Sequence, residues 1–187
     1  MNKAFFIDRD GTINKYIPYI NNIDDFELIE GVSEAIRLIN QSKWLVIVVT
    51  NQPQVAKGLL LENDVNKMHD KMTSLLSKDN AKIDGIYYCP HSPPNKFKNG
   101  NKDYQINCSC RKPKSGLYMQ AQKDFNIDFS SSIFIGDTTR DIAVTKDIGG
   151  KSILLKCGLG GKDNKFPITP DHYCKNLLDA AKTILKK

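Results

Sequence analysis

Short apolar runs alternate with helical patterns along almost the whole chain of 187 residues. The apolar runs lie at residues 4–7, 45–49, 85–88, 133–135 and 152–155. Patterns typical of helices lie at residues 32–40, 63–76, 115–125, 141–146 and 176–185. Strands that alternate with helices predict an α/β fold, a three-layer Rossmann-like parallel sheet with helices on both faces.

One segment interrupts this alternation. Residues 89–114 show no periodicity and are rich in Pro, Asn, Lys and Gly. An irregular loop longer than about 12–15 residues in a compact domain is usually functional or disordered. The chain length suits one domain with a substantial core. We therefore predict a single domain over residues 1–187 that carries a functional loop insertion at 89–114.

The first apolar run leads directly into two acids, in the segment FFIDRDGTIN. Asp8 and Asp10 point the same way if the chain is extended, and they lie at the carboxyl end of a strand, where α/β sheets bind ligands. Two neighbouring carboxylates repel each other unless they share a proton or a cation. This favours a Mg²⁺ site, while a simple Asx-type turn is the alternative.

Polar residues also follow other strands or lie in the loop. They are Thr50-Asn51, Arg111-Lys112, Gly136-Asp137 and Asp141. The carboxyl ends of parallel strands share one edge of a sheet, so we expect the acids, the hydroxyl and the cations to face one crevice. Such a set suits phosphoryl transfer, which needs a nucleophile, a metal and donors to phosphate oxygens. Taken singly, Thr-Asn is also a helix cap, and Arg-Lys is also ordinary surface charge.

The irregular loop carries a second constellation, Cys89-x-His91 followed by Cys108-x-Cys110. Three thiolates and one imidazole match a closed tetrahedral zinc site, which has no coordination position left for water. We therefore predict a structural Zn²⁺ that pins the loop, with chance clustering of cysteines as the alternative. The other two cysteines, Cys157 and Cys174, are expected to be ordinary reduced thiols.

Composition excludes several other classes of protein. The chain is 40% hydrophobic and 26% charged, as expected for a soluble globular protein. No apolar run approaches the roughly 20 residues that span a bilayer, and the N-terminus does not resemble a signal peptide. We expect a cytoplasmic, monomeric protein without a membrane partner. The net charge of +6 is compatible with nucleic acid or with small phosphorylated substrates.

The motifs resemble those of the haloacid dehalogenase (HAD) superfamily of phosphatases, in the same order. They are similar above all to the branch that hydrolyses D-glycero-D-manno-heptose 1,7-bisphosphate, and the histidinol phosphatases, which share the zinc loop, are also similar. The segments that carry the resemblance are FIDRDGTIN, VVTNQ, GIYYCPH, CSCRKPKSGL and IGDTTRDI. The resemblance covers about residues 4–185.

The resemblance implies a role for each matching residue. Asp8 is the nucleophile that forms an aspartyl-phosphate, and Asp10 is the acid and then the base. Mg²⁺ is held by Asp8, Asp137 and the backbone carbonyl of Asp10, with Asp141 behind them. The groups that stabilise or contact the substrate are Tyr16, Tyr19, Thr50, Asn51, Gln52, Arg111 and Lys112. The implied reaction removes the 7-phosphate, on a route to nucleotide-activated heptose for lipopolysaccharide or another surface polysaccharide.

Two departures bear on the substrate. After Gln52 the family usually has Ser-Gly-Ile, whereas this chain has Pro53-Gln54-Val55. The segment from Lys15 to Tyr19 also differs from the usual Asp-His-Gly-Tyr type. Histidinol phosphate or another small sugar phosphate is therefore an alternative substrate. A zinc-dependent nucleic-acid-binding protein is an alternative of a different class, although no basic recognition helix is apparent.

Overall fold

The structure is a computed structural model that describes residues 1–186. Six strands form one parallel sheet, with the spatial order β3-β2-β1-β4-β5-β6. They are β1 (Ala4–Ile7), β2 (Leu45–Asn51), β3 (Gly85–Cys89), β4 (Ile133–Gly136), β5 (Lys151–Leu155) and β6 (His172–Cys174). Because β1 lies between β2 and β4, the acids that follow it stand at the centre of the sheet edge.

Seven α-helices accompany the sheet among the described residues. They are α1 (Val32–Gln41), α2 (Gln54–Lys57), α3 (Glu62–Ser77), α4 (Gly116–Phe125), α5 (Thr139–Ile142), α6 (Thr145–Ile148) and α7 (Leu177–Leu185). Three short 3₁₀ helices lie at Ile23–Asp25, Lys102–Tyr104 and Phe129–Ser131. The five predicted strands and four of the five predicted helices are thus confirmed, with small differences at their ends.

The core has two parts, one on each face of the sheet. Alternate side chains of β1 pack into different parts of the core. Phe5 and Ile7 lie in one part, and Phe6 lies in the other. The larger part includes apolar residues of α1, α3 and α7, and the smaller part includes Leu117 and Tyr118 of α4. This arrangement confirms the predicted three layers.

The helix predicted over residues 141–146 is wrong in its extent. Asp141 lies in α5, which begins earlier, and the chain then starts a second short helix, α6. The hydroxyl of Thr145 donates to the carbonyl of Ile142 at 2.8 Å. Such back-bonding by a threonine competes with the regular helical ladder and bends it.

Two elements have no counterpart in the sequence prediction. The edge strand β6 has three residues, and α2 has four. Both are too short to show periodicity. No helix among residues 1–186 has the length and apolar character needed to cross a bilayer.

Candidate active site

The carboxyl ends of the strands form the floor of a cleft of about 710 Å³. The irregular loop and the segment around Tyr16–Tyr19 contribute to its walls. The predicted residues that line it are Asp8, Asp10, Tyr16, Tyr19, Thr50, Asn51, Arg111, Lys112, Asp137 and Asp141. The sheet therefore brings together side chains that are as much as 133 positions apart in the chain, from Asp8 to Asp141.

A buried ammonium group stands between two of the acids. Lys112 Nζ lies 2.6 Å from Asp8 Oδ1 and 2.7 Å from Asp141 Oδ1, and it donates to the carbonyl of Val49 at 2.7 Å. Burial alone would lower the pKa of Lys112, but Asp141 and Asp8 outweigh burial and raise it. Lys112 is therefore a permanent positive charge beside Asp8. Asp141 stands in the cluster itself, closer to Asp8 than the sequence analysis placed it.

Asp137 completes a group of three buried acids. One ligand oxygen from each of Asp8, Asp137 and Asp141 lies within 4.8 Å of the others. Burial, with a further contribution from Asp141, raises the pKa of Asp8 to about 7. Burial and then Asp8 raise the pKa of Asp137 to about 8. Three buried carboxylates this close favour a further cation beside Lys112.

The acid cluster fits a hard divalent cation such as Mg²⁺, which prefers carboxylate oxygens. Asp137 Oδ2 accepts the backbone N–H of Leu159 at 2.7 Å, while the buried Oδ1 has no hydrogen-bond partner among the described residues. That oxygen is available as a ligand. The predicted contribution of the Asp10 carbonyl stays a prediction.

Two glycines allow the backbone to approach Asp137. Gly11 and Gly158 both have positive φ, of 85° and 57°. A Cβ atom would come within 2.3 Å of Asp137 Oδ2 at Gly11 and within 2.2 Å at Gly158. Any other residue at either position would therefore displace the carboxylate.

Asp10 is held from behind by a buried polar network. Its carboxylate accepts from Arg9 Nη2 at 3.0 Å, from Gln52 Nε2 at 2.8 Å and from Asn14 Nδ2 at 3.0 Å. Arg9 is fully buried, and its Nη1 lies 3.2 Å from His69 Nε2. These contacts orient Asp10 without filling the cleft in front of it.

Sequence reasoning missed Arg9 and His69, and it assigned Gln52 to the substrate. Gln52 is fully buried and bridges Asp10, Arg9 and the hydroxyl of Thr50. Its side-chain hydrogen bonds are directed at these groups, and its predicted contact with the substrate stays a prediction. The signal that could have revealed Arg9 is its place between two acids at the end of a buried strand, where a charge needs a buried partner.

The irregular loop is attached to the sheet through Asn51. The side chain of Asn51 accepts the backbone N–H of Lys112 at 3.0 Å and donates to the Lys112 carbonyl at 3.3 Å. Arg111 donates to the carbonyl of His91 at 2.8 Å. Burial and then Arg140 lower the pKa of Arg111. Two neighbouring guanidinium groups on a cleft wall favour an anionic ligand.

The predicted zinc ligands come together in the loop. One donor atom from each of Cys89, His91, Cys108 and Cys110 lies within 4.8 Å of the others. Cys110 Sγ lies 3.0 Å from Cys89 Sγ and 3.2 Å from His91 Nδ1. Three sulfurs and one imidazole are the donor set of a structural Zn²⁺ site. The ion would fix the loop and with it the position of Lys112.

Comparison with known proteins gives matches of sequence and of fold. A family model described as HAD-hydrolase-like matches residues 109–180. The D-glycero-β-D-manno-heptose-1,7-bisphosphate 7-phosphatase of Haemophilus ducreyi is 40% identical over 158 residues, which are 83% of this chain and 84% of that protein. The protein of the same name from Escherichia coli K12 is 36% identical over 170 residues, which are 90% of this chain and 83% of that protein.

A solved structure extends the match to the whole fold. The D,D-heptose 1,7-bisphosphate phosphatase from B. bronchiseptica, complexed with magnesium and phosphate, is 27% identical and superimposes with a TM-score of 0.85. The superposition covers 98% of each chain.

Proposed function

We propose that this chain, which belongs to the D-glycero-β-D-manno-heptose-1,7-bisphosphate 7-phosphatase family of HAD-like hydrolases, removes the 7-phosphate of that heptose bisphosphate. The product serves the synthesis of nucleotide-activated heptose for lipopolysaccharide or another surface polysaccharide. One observation carries the assignment of the nucleophile: Asp8 lies on the floor of the cleft with Lys112 Nζ at 2.6 Å from one of its oxygens.

The first half of the reaction uses Asp8 and Asp10. A carboxylate oxygen of Asp8 attacks the phosphorus atom, and the bond between phosphorus and the C7 oxygen breaks. Asp10, oriented by Arg9 and Gln52, donates a proton to the departing oxygen. The chain then carries an aspartyl-phosphate on Asp8, and the sugar leaves as the heptose 1-phosphate.

The second half restores the enzyme. Asp10, now deprotonated, takes a proton from a water molecule, and the water oxygen attacks phosphorus as its bond to Asp8 breaks. Lys112 and the hydroxyl of Thr50 stabilise the charge on the phosphoryl oxygens in both halves. Asp8, Asp137 and the Asp10 carbonyl would hold Mg²⁺, which would supply Lewis-acid stabilisation of the same charge.

The proposal also covers the oligomeric state and the cellular compartment of the enzyme. All catalytic groups come from one chain, so we expect a monomer to be active. All five cysteines are free, and four donors form a thiol-rich zinc site that depends on reduced thiols. Such a site fits the cytoplasm.

A phosphate-release assay tests the substrate and the nucleophile together. Purified protein with Mg²⁺ should hydrolyse heptose 1,7-bisphosphate, tested as both anomers, far faster than histidinol phosphate or glucose 6-phosphate. Asp8→Asn should lower kcat by at least about 10³-fold while the thermal unfolding midpoint shows an intact fold. Faster release from histidinol phosphate would refute the substrate, and an active Asp8→Asn protein would refute the nucleophile.

A further inference from the structure

Gln54 is a polar residue in the cleft wall that the mechanism above does not use. It is the first residue of α2, its side chain is buried, and it lines the same cleft as Asp8. Its amide oxygen, Oε1, has no hydrogen-bond partner among the described residues. A buried acceptor without a partner destabilises the protein unless a ligand or solvent satisfies it. Gln54 Oε1 is therefore an acceptor on the cleft wall that a bound ligand can satisfy.

The orientation of the amide is set by a neighbouring carbonyl group. Gln54 Nε2 lies 3.4 Å from the carbonyl oxygen of Ile20, to which it donates. The opposite orientation would place two acceptor oxygens against each other, because a carbonyl oxygen cannot donate. The group that Gln54 leaves free is therefore an acceptor.

An unpartnered acceptor binds ligand groups that can donate a hydrogen bond. It repels the oxygens of a phosphate, which are themselves acceptors, and it binds a hydroxyl hydrogen. Ser92 offers a second unpartnered oxygen on the same cleft, since its buried Oγ also has no partner in the described part of the chain. The hydroxyl of Ser92 can both donate and accept, so it suits a sugar hydroxyl as well.

We infer that Gln54 is a specificity-determining residue whose Oε1 accepts a hydrogen bond from a hydroxyl group of the sugar, with Ser92 as a second polar contact. This inference rests on the proposed function, because it names how that cleft recognises a polyhydroxylated phosphate ester. It concerns the sugar and not the transferred phosphate. Removing the Gln54 acceptor should therefore weaken the binding of substrates that carry sugar hydroxyl groups and leave other phosphate esters unaffected.

Gln54→Met removes the acceptor at nearly constant volume. We expect kcat/KM for heptose bisphosphate to fall about five- to tenfold relative to kcat/KM for 4-nitrophenyl phosphate, which has no sugar hydroxyl. The fall should lie in KM. Gln122→Met is the matched control, because Gln122 lies on α4 away from the cleft and its side chain donates only to the Ile127 carbonyl among the described residues. Equal changes on both substrates, or none on the sugar, would overturn the inference.

A binding measurement separates this inference from the proposed reaction. In the Asp8→Asn background, calorimetry compares heptose bisphosphate with inorganic phosphate as ligands. Gln54→Met should raise the Kd of the sugar bisphosphate about five- to tenfold relative to that of phosphate. Absence of turnover in the parent protein refutes the proposed reaction, whereas an unchanged ratio of Kd values refutes the role of Gln54.

Discussion

The buried His69 makes the stability of this protein depend on pH in a way that one substitution can reveal. His69 lies in the apolar stripe of α3, with only 6% of its surface exposed, and its Nε2 is 3.2 Å from Arg9 Nη1. An arginine only donates, so Nε2 accepts and the ring is neutral. Burial, and then the Arg9 charge, lower the pKa of His69 from 6.5 to about 3.

The sign of the effect follows from where the proton binds. The unfolded chain takes up a proton near pH 6.5, while the folded protein does not until about pH 3. Unfolding therefore binds protons below pH 6.5, and stability falls as the pH is lowered from there. At about pH 5 the loss from this one group is about 2 kcal/mol, and at about pH 7.5 it is close to zero. Any folded-state pKa below about 4 gives nearly the same loss at pH 5.

His69→Gln keeps an acceptor for Arg9 but cannot take up this proton. Urea unfolding of both proteins at about pH 7.5 and pH 5 should show a drop in the free energy of unfolding that is about 2 kcal/mol smaller in the variant. Protonation of the other groups affects both proteins alike. His172→Gln, at an exposed position on β6, is the control and should retain the parent's drop. Equal drops in the parent and His69→Gln would refute a neutral, buried His69.

Two further predictions concern the metal sites. Cys110→Ser should abolish stoichiometric zinc binding, accelerate proteolysis near residues 96–102, and lower kcat/KM about 10²–10³-fold, because Lys112 lies in the loop that the ion would fix. A zinc-free variant with full activity would contradict this role. Gly158→Ala should raise the Mg²⁺ concentration for half-maximal activity at least about tenfold, because its Cβ would meet Asp137 Oδ2 at 2.2 Å. Gly149→Ala is its control, because Gly149 has a positive φ of 80° but no atom within 4 Å of the added Cβ. An equal rise in the required Mg²⁺ concentration in both variants would show that backbone strain alone is responsible.

Much of the fold follows from local sequence, because the continuous apolar runs become strands and the amphipathic stretches cover them. Asp8, Thr50 and Asp137 could be placed at one edge from the sequence, since each lies at or directly after the carboxyl end of a strand in a parallel sheet. Lys112 could be placed beside the crevice from its position in the irregular loop, but its contacts with both Asp8 and Asp141 could not be predicted, because an irregular loop has no pattern that fixes where its side chains lie.

The support behind Asp10 was not predictable in the same way. Arg9, Gln52 and His69 come from three separate segments, and nothing local marks their contact. A histidine at helical spacing among apolar residues has the pattern of an ordinary core position. The role of Gln54 was equally hidden, because it depends on the carbonyl of Ile20, 34 residues earlier in the chain.

The separation of Lys112 from Asp8, 104 positions along the chain, has a consequence for the order of folding. Strands β1 and β4, which lead to the three acids, can pair before the irregular loop is ordered, since no loop residue belongs to either strand. Until the loop docks through Asn51, the acids face one another without their internal ammonium group. Like charges in a forming interior oppose compaction. We therefore expect loop closure to follow pairing of the strands and to neutralise the centre of the sheet, so that the site is completed last although its first acid is synthesised first.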